Sequence, residues 1–298
     1  MRCLVTGGLG FIGQNVVKTL IKRGHEVIVI DNFEMGKKES VPENVELINY
    51  DINNWLGMDG KLDYIFHFAG PCSVIQFNKD PVKCVKTTLS GFSNVLWLAR
   101  SKKATLIYPS SGTVYGGLNG TEFGSINPPN LYAICKKACE SMAIHASDIR
   151  SIGFRIFAGY GPGEEHKGDI ASAVTIFMNN LAKNEQPVIW GDGTQTRDFV
   201  YIDDIVETFM KVMDMEGKLP PVVNIGSGKS YSFNDILSLL NKYMGKDIKP
   251  TYVPKPVSYV ERTEANLMLY KMIFKMQPRD IEQGLKDYLR NMNLYKES

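Results

Sequence analysis

The sequence predicts an α/β protein: a doubly wound parallel sheet with a smaller mixed α/β lobe. Short continuous apolar runs alternate with helix-length segments over the first half of the chain, and a glycine-rich turn joins the first run to the first helix. After Phe157 the texture changes to a loop rich in Gly, Pro and charge, "AGYGPGEEHKGD". Parallel strands covered by helices on both faces read as unbroken apolar runs, which is the pattern of the first half. At 298 residues, against a prior of roughly 100 to 200 per domain, the length fits one large domain with a smaller lobe or two modest domains.

The first strand is "CLVTG", followed by a helix from about Phe11 to Arg23. "EVIVID", "VELINYD" and "LDYIFHFAG" continue the sheet, with a helix near Val82 to Arg100 before the strand "TLIYPSS". A helix near Tyr132 to Ser147 and the strand "SIGFRIF" extend the alternation, and parallel neighbours require right-handed crossovers. Beyond the loop come a short helix and the segment "PVIWGDGTQTRDFVYIDD". Pro250, Pro254 and Pro256 mark a loop before two final helices, near Glu264 to Phe274 and Pro278 to Met292. The division read from this is a sheet domain at 1–158 plus about 196–226, and a lobe at about 159–195 plus 227–298.

Composition narrows the partners. Lys and Arg total 34 against 32 Asp and Glu, and no block of like charge forms a nucleic-acid footprint or a polybasic membrane patch. No apolar run is long enough to span a bilayer, and the N-terminus lacks the pattern of a secretory signal. The five cysteines, Cys3, Cys72, Cys84, Cys135 and Cys139, are odd in number and contain no C-x-x-C, which argues against a disulfide framework and a zinc site. A soluble cytoplasmic protein with small-molecule partners and no metal is expected.

"VTGGLGFIG" sets Gly7, Gly10 and Gly13 between the first strand and the first helix. Glycines at that turn let the backbone approach a pyrophosphate, whose charge the helix N-terminus holds. Eighteen residues after Gly13 the second strand ends at Asp31, where a carboxylate can accept hydrogen bonds from ribose hydroxyls and repels a 2′-phosphate. NAD is favoured over NADP.

These motifs, with "DNF", Tyr50–Asp51, "HFAG" at 67–70, "SSGTVYG" at 110–116, Tyr132 with Lys136, and "GDGTQTRDFVYIDD" at 191–204, resemble the extended short-chain dehydrogenase/reductases. The similarity covers nearly the whole chain and is specific to their NAD-dependent sugar-nucleotide epimerase/dehydratase family, with a Rossmann sheet and a substrate lobe. It implies cofactor contacts at Gly7, Gly10, Phe11, Ile12 and Gly13, at Asp31, Asn32 and Phe33, and at Asp51 and Ile52 beside the adenine. Phe68, Ala69 and Gly70 would line the cofactor, and Tyr132 and Lys136 would also touch it.

The same resemblance implies a catalytic set of Ser111, Tyr132 and Lys136. Oxidising a sugar hydroxyl requires a base at neutral pH, and an ordinary phenol, with a pKa of about 10, is a poor one. A lysine one helical turn away favours the phenolate, and Ser111 can hydrogen-bond the reacting oxygen. Family dehydratases and decarboxylases usually carry an acidic residue one or two places after the catalytic Ser or Thr, whereas this chain has Gly112 and Thr113. Epimerisation, most simply at the sugar's 4-position, is therefore expected ahead of 4,6-dehydration, decarboxylation, or net dehydrogenation or reduction. A non-catalytic NAD or sugar-nucleotide sensor on the same fold is the reading from another class.

On the substrate side, Thr113, Arg197 and Arg262 are candidates, the arginines for a diphosphate. Arg197 reads alternatively as a salt bridge to Asp198 or Asp203, and Trp190 and Val174 read equally as base contacts or core. The chain departs from the family pattern at Ala158, at Thr88, and in "KPVSYVER" up to Arg262. Cys72 and Ser73 could face a sugar, although a cysteine there is more simply a packing residue. Cys135 and Cys139 read as core, His67 as structural, His145 as a helix residue and His166 as a loop residue within reach of substrate. A homodimer through the Val82–Arg100 helix and the Tyr132 helix is a further implication of the resemblance.

Overall fold

The computed structural model describes residues 1–54, 57–117, 120–122, 124–255 and 260–296. Pro256, one of the predicted loop markers, lies outside the described residues, as do 257–259 of the "KPVSYVER" stretch. The chain forms two compact units: Met1–Val114, Pro128–Arg155 and Val206–Val223, and then Tyr115–Asn127, Ile156–Ile205 and Asn224–Ser298.

In chain order the first elements are β1 (Arg2–Thr6), α1 (Phe11–Lys22), β2 (Glu26–Asp31), β3 (Glu46–Asn49) and β4 (Tyr64–His67). There follow α2 (Val74–Lys79), α3 (Pro81–Lys102), β5 (Thr105–Ser111), α4 (Leu131–His145), β6 (Ser151–Ile156) and β7 (Ala158–Tyr160). The remainder comprises α5 (Ala173–Ala182), β8 (Val188–Trp190), β9 (Thr196–Tyr201), α6 (Ile202–Met213), β10 (Val222–Ile225) and β11 (Ser230–Ser232), then α7 (Phe233–Met244), β12 (Thr251–Val253), α8 (Met268–Phe274) and α9 (Ile281–Asn291).

Among the described residues a seven-stranded sheet runs β3-β2-β1-β4-β5-β6-β10. The pairings β1–β2, β2–β3, β1–β4 and β4–β5 are parallel, so the doubly wound expectation holds. Cys3–Thr6 and the whole of β4 are buried, as strands enclosed on both faces should be. Leu4, Ile28, Ile65, Phe92, Val95, Leu106 and Tyr108 pack with Cys139 and Ala143 of α4 in one core cluster. Each large apolar side chain buried this way contributes about 1.5–3 kcal/mol. Register places Thr6 beside both Ile30 and His67. The carboxyl ends of β1, β2 and β4 thus reach one edge together, where ligands bind in such sheets.

The helices start where local chemistry favours it. Asp80 caps α3 by accepting from Lys83 N at 3.0 Å, with Pro81 in the first turn. Asn130 caps α4 by accepting from Ala133 N at 3.0 Å, which fixes the turn that carries Tyr132. The short α2, absent from the sequence expectation, is capped by Ser73.

Among the described residues the second unit holds a three-stranded sheet, β11-β9-β7, and a two-stranded sheet, β12-β8. Residues 196–205, grouped with the sheet domain by the sequence, fall here because β9 pairs with β7 and β11. The helix expected from Glu264 starts at Met268 instead. Ala265 N donates to Asp198 Oδ2 at 3.0 Å and Ala265 bridges Gly120, so this segment stays extended.

The glycine turn has no spare volume. A methyl on Gly13 would lie 2.1 Å from Gly7 O and 2.8 Å from Gly8 Cα, and these backbone atoms cannot rotate away. Gly13→Ala is expected to destabilise the fold by about 1–3 kcal/mol. A wild-type midpoint in urea denaturation would show that the turn relaxes.

Candidate active site

At the carboxyl edge of the first sheet, Gly7 adopts φ +68°, a conformation that favours glycine. A Cβ there would meet Ala69 N at 2.4 Å, so this glycine lets the β1 turn touch the segment after β4. Helix α1 begins at Phe11 with Gly10 as its N-cap, without a side-chain cap and with no acidic residue in its first turn. Phe11, Ile12 and Gly13 form that turn, which presents the positive end of a twelve-residue helix.

Asp31 is buried, and its carboxylate accepts from Leu9 N (3.1 Å) and Phe33 N (2.9 Å). It therefore braces the glycine turn against the turn after β2. A carboxylate has about four lone-pair sites, so these two bonds are compatible with a ribose contact. Asn32 is exposed and accepts from Glu34 N, while Phe33 sits at φ +59°.

Asp51 Oδ1 accepts from Asn53 N (2.8 Å) and Nδ2 (2.9 Å). Asn94 of α3 donates to the carbonyls of Ile52 and Asn54 and holds this loop in place. Ile52 is buried against Gly91, where a methyl would come within 2.5 Å of Cδ1. Phe68 is half-buried and stacks near Phe209, and Gly70 is exposed at φ +124°. An uncapped helix N-terminus beside a close-packed glycine turn, with no acidic residue in its first turn, suits the pyrophosphate of a dinucleotide, so these residues fit NAD.

Ser111 ends β5 and is buried; its Oγ donates to Thr113 Oγ1 at 3.0 Å and accepts from Thr113 N at 3.2 Å. Tyr132 and Lys136 are half-buried on α4. Lys136 Nζ lies 5.8 Å from the Tyr132 ring centroid and donates to Pro109 O at 3.4 Å, two residues before Ser111. Phe77 of α2 meets the Tyr132 ring edge-on at 5.6 Å, within a small cluster that includes Cys84 and Cys135. The first unit therefore brings the predicted catalytic set to one end of β5 and α4.

The sequence reading passed over Glu140, Arg155 and Ser110. Glu140 is fully buried on α4 and takes two bonds from Arg155 of β6, Nε to Oε1 and Nη2 to Oε2, both 2.8 Å. Ser110 Oγ donates to Oε1 at 2.6 Å and Lys137 Nζ to Oε2 at 3.2 Å. Burial opposes ionisation of Glu140, but Arg155, Ser110 and Lys137 outweigh it and hold the carboxyl below its ordinary 4.5. The available signal was spacing: Tyr132, Lys136 and Glu140 fall at i, i+4 and i+8.

His67 is buried beside Thr6, with Thr6 Oγ1 and Nδ1 2.8 Å apart. Burial, reinforced by the charge of Lys136, pushes its pKa down to about 3, so the ring is neutral and structural as expected. Cys135 and Cys139 are buried, Cys72 is exposed, and exposed His145 lies by Ser141 O. Thr88 is buried and bonds back to Cys84 O.

In the second unit, Arg197 donates to Thr196 O at 2.8 Å and lies over Phe233, 5.7 Å from the ring centroid. Asp198 instead accepts from Ser227 N and Oγ, Gly228 N and Ala265 N. Exposed Arg262 pairs with Glu264 at 3.0 Å and borders a cavity of about 580 Å³ lined also by Ser227, Gly228, Asn266 and Lys271. Val174 is core, while Trp190 remains partly exposed. His166 is half-buried, and burial with Lys167 lowers its pKa. Ala158 is half-buried on β7.

A glycine cradle at the carboxyl edge of a parallel sheet in 3-2-1-4-5-6 order defines a dinucleotide-binding fold of the Rossmann class. The chain belongs to the NAD-dependent epimerase/dehydratase family, whose model matches residues 3–226, and the resemblance read from the sequence is borne out. A putative UDP-glucose 4-epimerase from Methanocaldococcus jannaschii is 29% identical over 306 residues, covering 97% of this chain and 99% of the relative. UDP-glucuronic acid decarboxylase 1 of Xenopus tropicalis is 30% identical over 301 residues, covering 95% of this chain and 70% of the relative. Among solved structures, a UDP-glucose 4-epimerase with UDP-glucose from Thermotoga maritima aligns with TM-score 0.88 at 29% identity, covering 98% of this chain and 100% of that one. The protein is thus an NAD-dependent enzyme of this family, and no described helix is long and apolar enough to cross a membrane.

The depressed Glu140 pKa carries a signed consequence. A carboxyl held lower in the folded state adds stability above its unfolded pKa, and that stability is lost as pH falls through the folded value. Removing one partner of a buried pair costs about 3–5 kcal/mol. Glu140→Gln should therefore be much less stable than wild type at pH 7, with the gap narrowing below about pH 4.5. Urea midpoints from pH 3 to 7 measure this, and a pH-independent gap would refute it.

Proposed function

We propose that the protein is a nucleotide-sugar epimerase, acting at the sugar's 4-position on a hexose or hexuronic acid joined to a nucleoside diphosphate. The residues that follow Ser111 carry the proposal. Family dehydratases and decarboxylases usually set an acid there, whereas Thr113 occupies the place and exchanges two hydrogen bonds with Ser111. Without a carboxylate at that contact, elimination and decarboxylation lack their expected proton shuttle, and inversion remains.

In this reading Tyr132 takes the proton of the reacting hydroxyl and later returns it. The Lys136 cation near its ring stabilises the negative oxygen that such a base must present. Ser111 donates to the sugar oxygen as it becomes a carbonyl. NAD, when bound, supplies a reversible two-electron acceptor. The ketone must present its other face before the alcohol is restored, so no external oxidant is consumed. Arg197 and Arg262 are assigned to the diphosphate, where a guanidinium fork matches phosphate oxygens better than a lysine does. The second reading, a nucleotide-sugar decarboxylase, is favoured by the 30% identity to a UDP-glucuronic acid decarboxylase.

The test is proton NMR with parallel mass spectrometry on UDP-, GDP-, CDP- and dTDP-sugars, without added NAD. A new anomeric signal at unchanged mass is expected, and loss of carbon dioxide would establish the decarboxylase. Tyr132→Phe should abolish turnover while retaining NAD; normal turnover by that variant would overturn the assignment.

The same proposal includes a cytoplasmic location, supported by five free thiols, and a homodimer through α3 and α4. Val82 (78% exposed) and Trp97 on α3, with Leu131, Ile134 (49% exposed) and Ile144 on α4, leave large apolar side chains in water on adjacent helices. Sedimentation should give twice the chain mass, and Trp97→Glu with Ile134→Glu should yield a folded monomer. A monomeric wild type would exclude this interface.

A further inference from the structure

Tyr132, Lys136 and Glu140 lie one turn apart on α4, and two of them grip the end of β5. Lys136 donates to the carbonyl of Pro109 and Glu140 accepts from the hydroxyl of Ser110. The next residue is Ser111. Across the same carboxylate, Arg155 ties in β6 with two parallel bonds. Ser110, Glu140 and Arg155 are 4%, 0% and 2% exposed, so this junction is buried.

An ionised carboxylate offers about four acceptor sites, and Ser110, the two Arg155 donors and Lys137 take that number. Hydrogen bonds weaken steeply with misalignment, whereas apolar contacts are non-directional. A slide of α4 by one residue, about 1.5 Å, would break the two-pronged contact with Arg155. A buried ion pair is weak evidence of net stabilisation, because desolvation offsets its attraction. What this one supplies is a fixed position along the helix axis.

We propose that Glu140 is a positioning residue: by clamping Ser110 and Arg155 it sets the register of α4 on β5 and β6, and so the placement of Tyr132 relative to Ser111. Tyr132 is eight residues up the helix, about 12 Å from the clamp, and Lys136 makes the second contact between them. The catalytic consequence rests on the reading of Tyr132 and Ser111 given above; the register itself does not.

Two variants separate positioning from bulk stability. Ser110→Ala removes only the strand side of the clamp and leaves the Glu140–Arg155 pair. The double variant Glu140→Gln with Arg155→Met removes both charges together and so strands neither. Each is expected to fold and retain NAD, with kcat lowered on the order of 10- to 100-fold, as a displacement of about 1 Å produces, and with KM for the sugar nucleotide found above unchanged. In protein carrying ¹³C-labelled tyrosine, the Tyr132 ring signal, assigned by its loss in Tyr132→Phe, should shift in both variants.

Unchanged kcat with an unmoved Tyr132 signal in both variants would overturn the proposal. So would a fall in activity that tracks the folded fraction while the Tyr132 signal of the folded protein stays in place. The ring signal needs no substrate, so it still tests the register if Tyr132→Phe turns over normally and the functional reading fails.

Discussion

Taking a carboxylate and a guanidinium out of water costs several kcal/mol per ion, and the first unit accepts that cost where α4, β5 and β6 meet. Arg155 faces Glu140 with two bonds of 2.8 Å, and Ser110 completes the same oxygen. Sheet and helix could pack through Tyr108, Cys139 and Ala143 alone, as the surrounding core cluster does. Those contacts supply area but little directional restraint. The ion pair adds a directional restraint between a strand ending in Ser111 and a helix starting beside Tyr132, and under the proposed function that restraint would serve proton transfer from a sugar hydroxyl to Tyr132.

The cofactor edge depends on a second constraint of a different kind, the exclusion of side-chain volume. Gly7 touches the backbone of Phe68 and Ala69, and Gly13 touches Gly7 and Gly8, at separations no Cβ tolerates. Asp31 then braces Leu9 and Phe33. Three crossovers that would otherwise vary independently are held together by backbone contact and one carboxylate. At one edge of the same sheet, side-chain volume is removed so that backbone meets backbone; at β5, charge is buried to hold a helix.

Much of this was legible in the sequence because it has local signatures. Apolar runs marked β1, β2, β4 and β5, glycine spacing marked the turn, and the Tyr132–Lys136 interval marked α4. What escaped depends on partners remote in sequence. Glu140 looks like a surface charge until Arg155, fifteen residues on, is folded against it. Asn94 gains meaning only through carbonyls about forty positions earlier. The helix expected from Glu264 was lost to Asp198, because a buried carboxylate that takes Ala265 N holds that residue extended. The short α2 gave too few residues for periodicity, although Ser73 supplies its cap.

The two ends of the site also differ in how far their sequence can vary. A pyrophosphate approached by backbone groups needs absent side chains, so few substitutions are compatible with it. Under the proposed function a sugar would be met by side chains, and changing one would alter which hydroxyl is recognised without moving the sheet. Thr88, where the family often has an asparagine, bonds back to Cys84 O within its own helix. Ala158, also at a common asparagine position, has no polar side chain to offer. A site lacking a polar partner discriminates weakly for a hydroxyl, whereas an unpaired buried polar group rejects strongly. Under the proposed function, changes at Thr88 and Ala158 would bear on sugar choice while Ser111, Tyr132 and Lys136 are kept, so reaction type and substrate identity would be carried by separate residues.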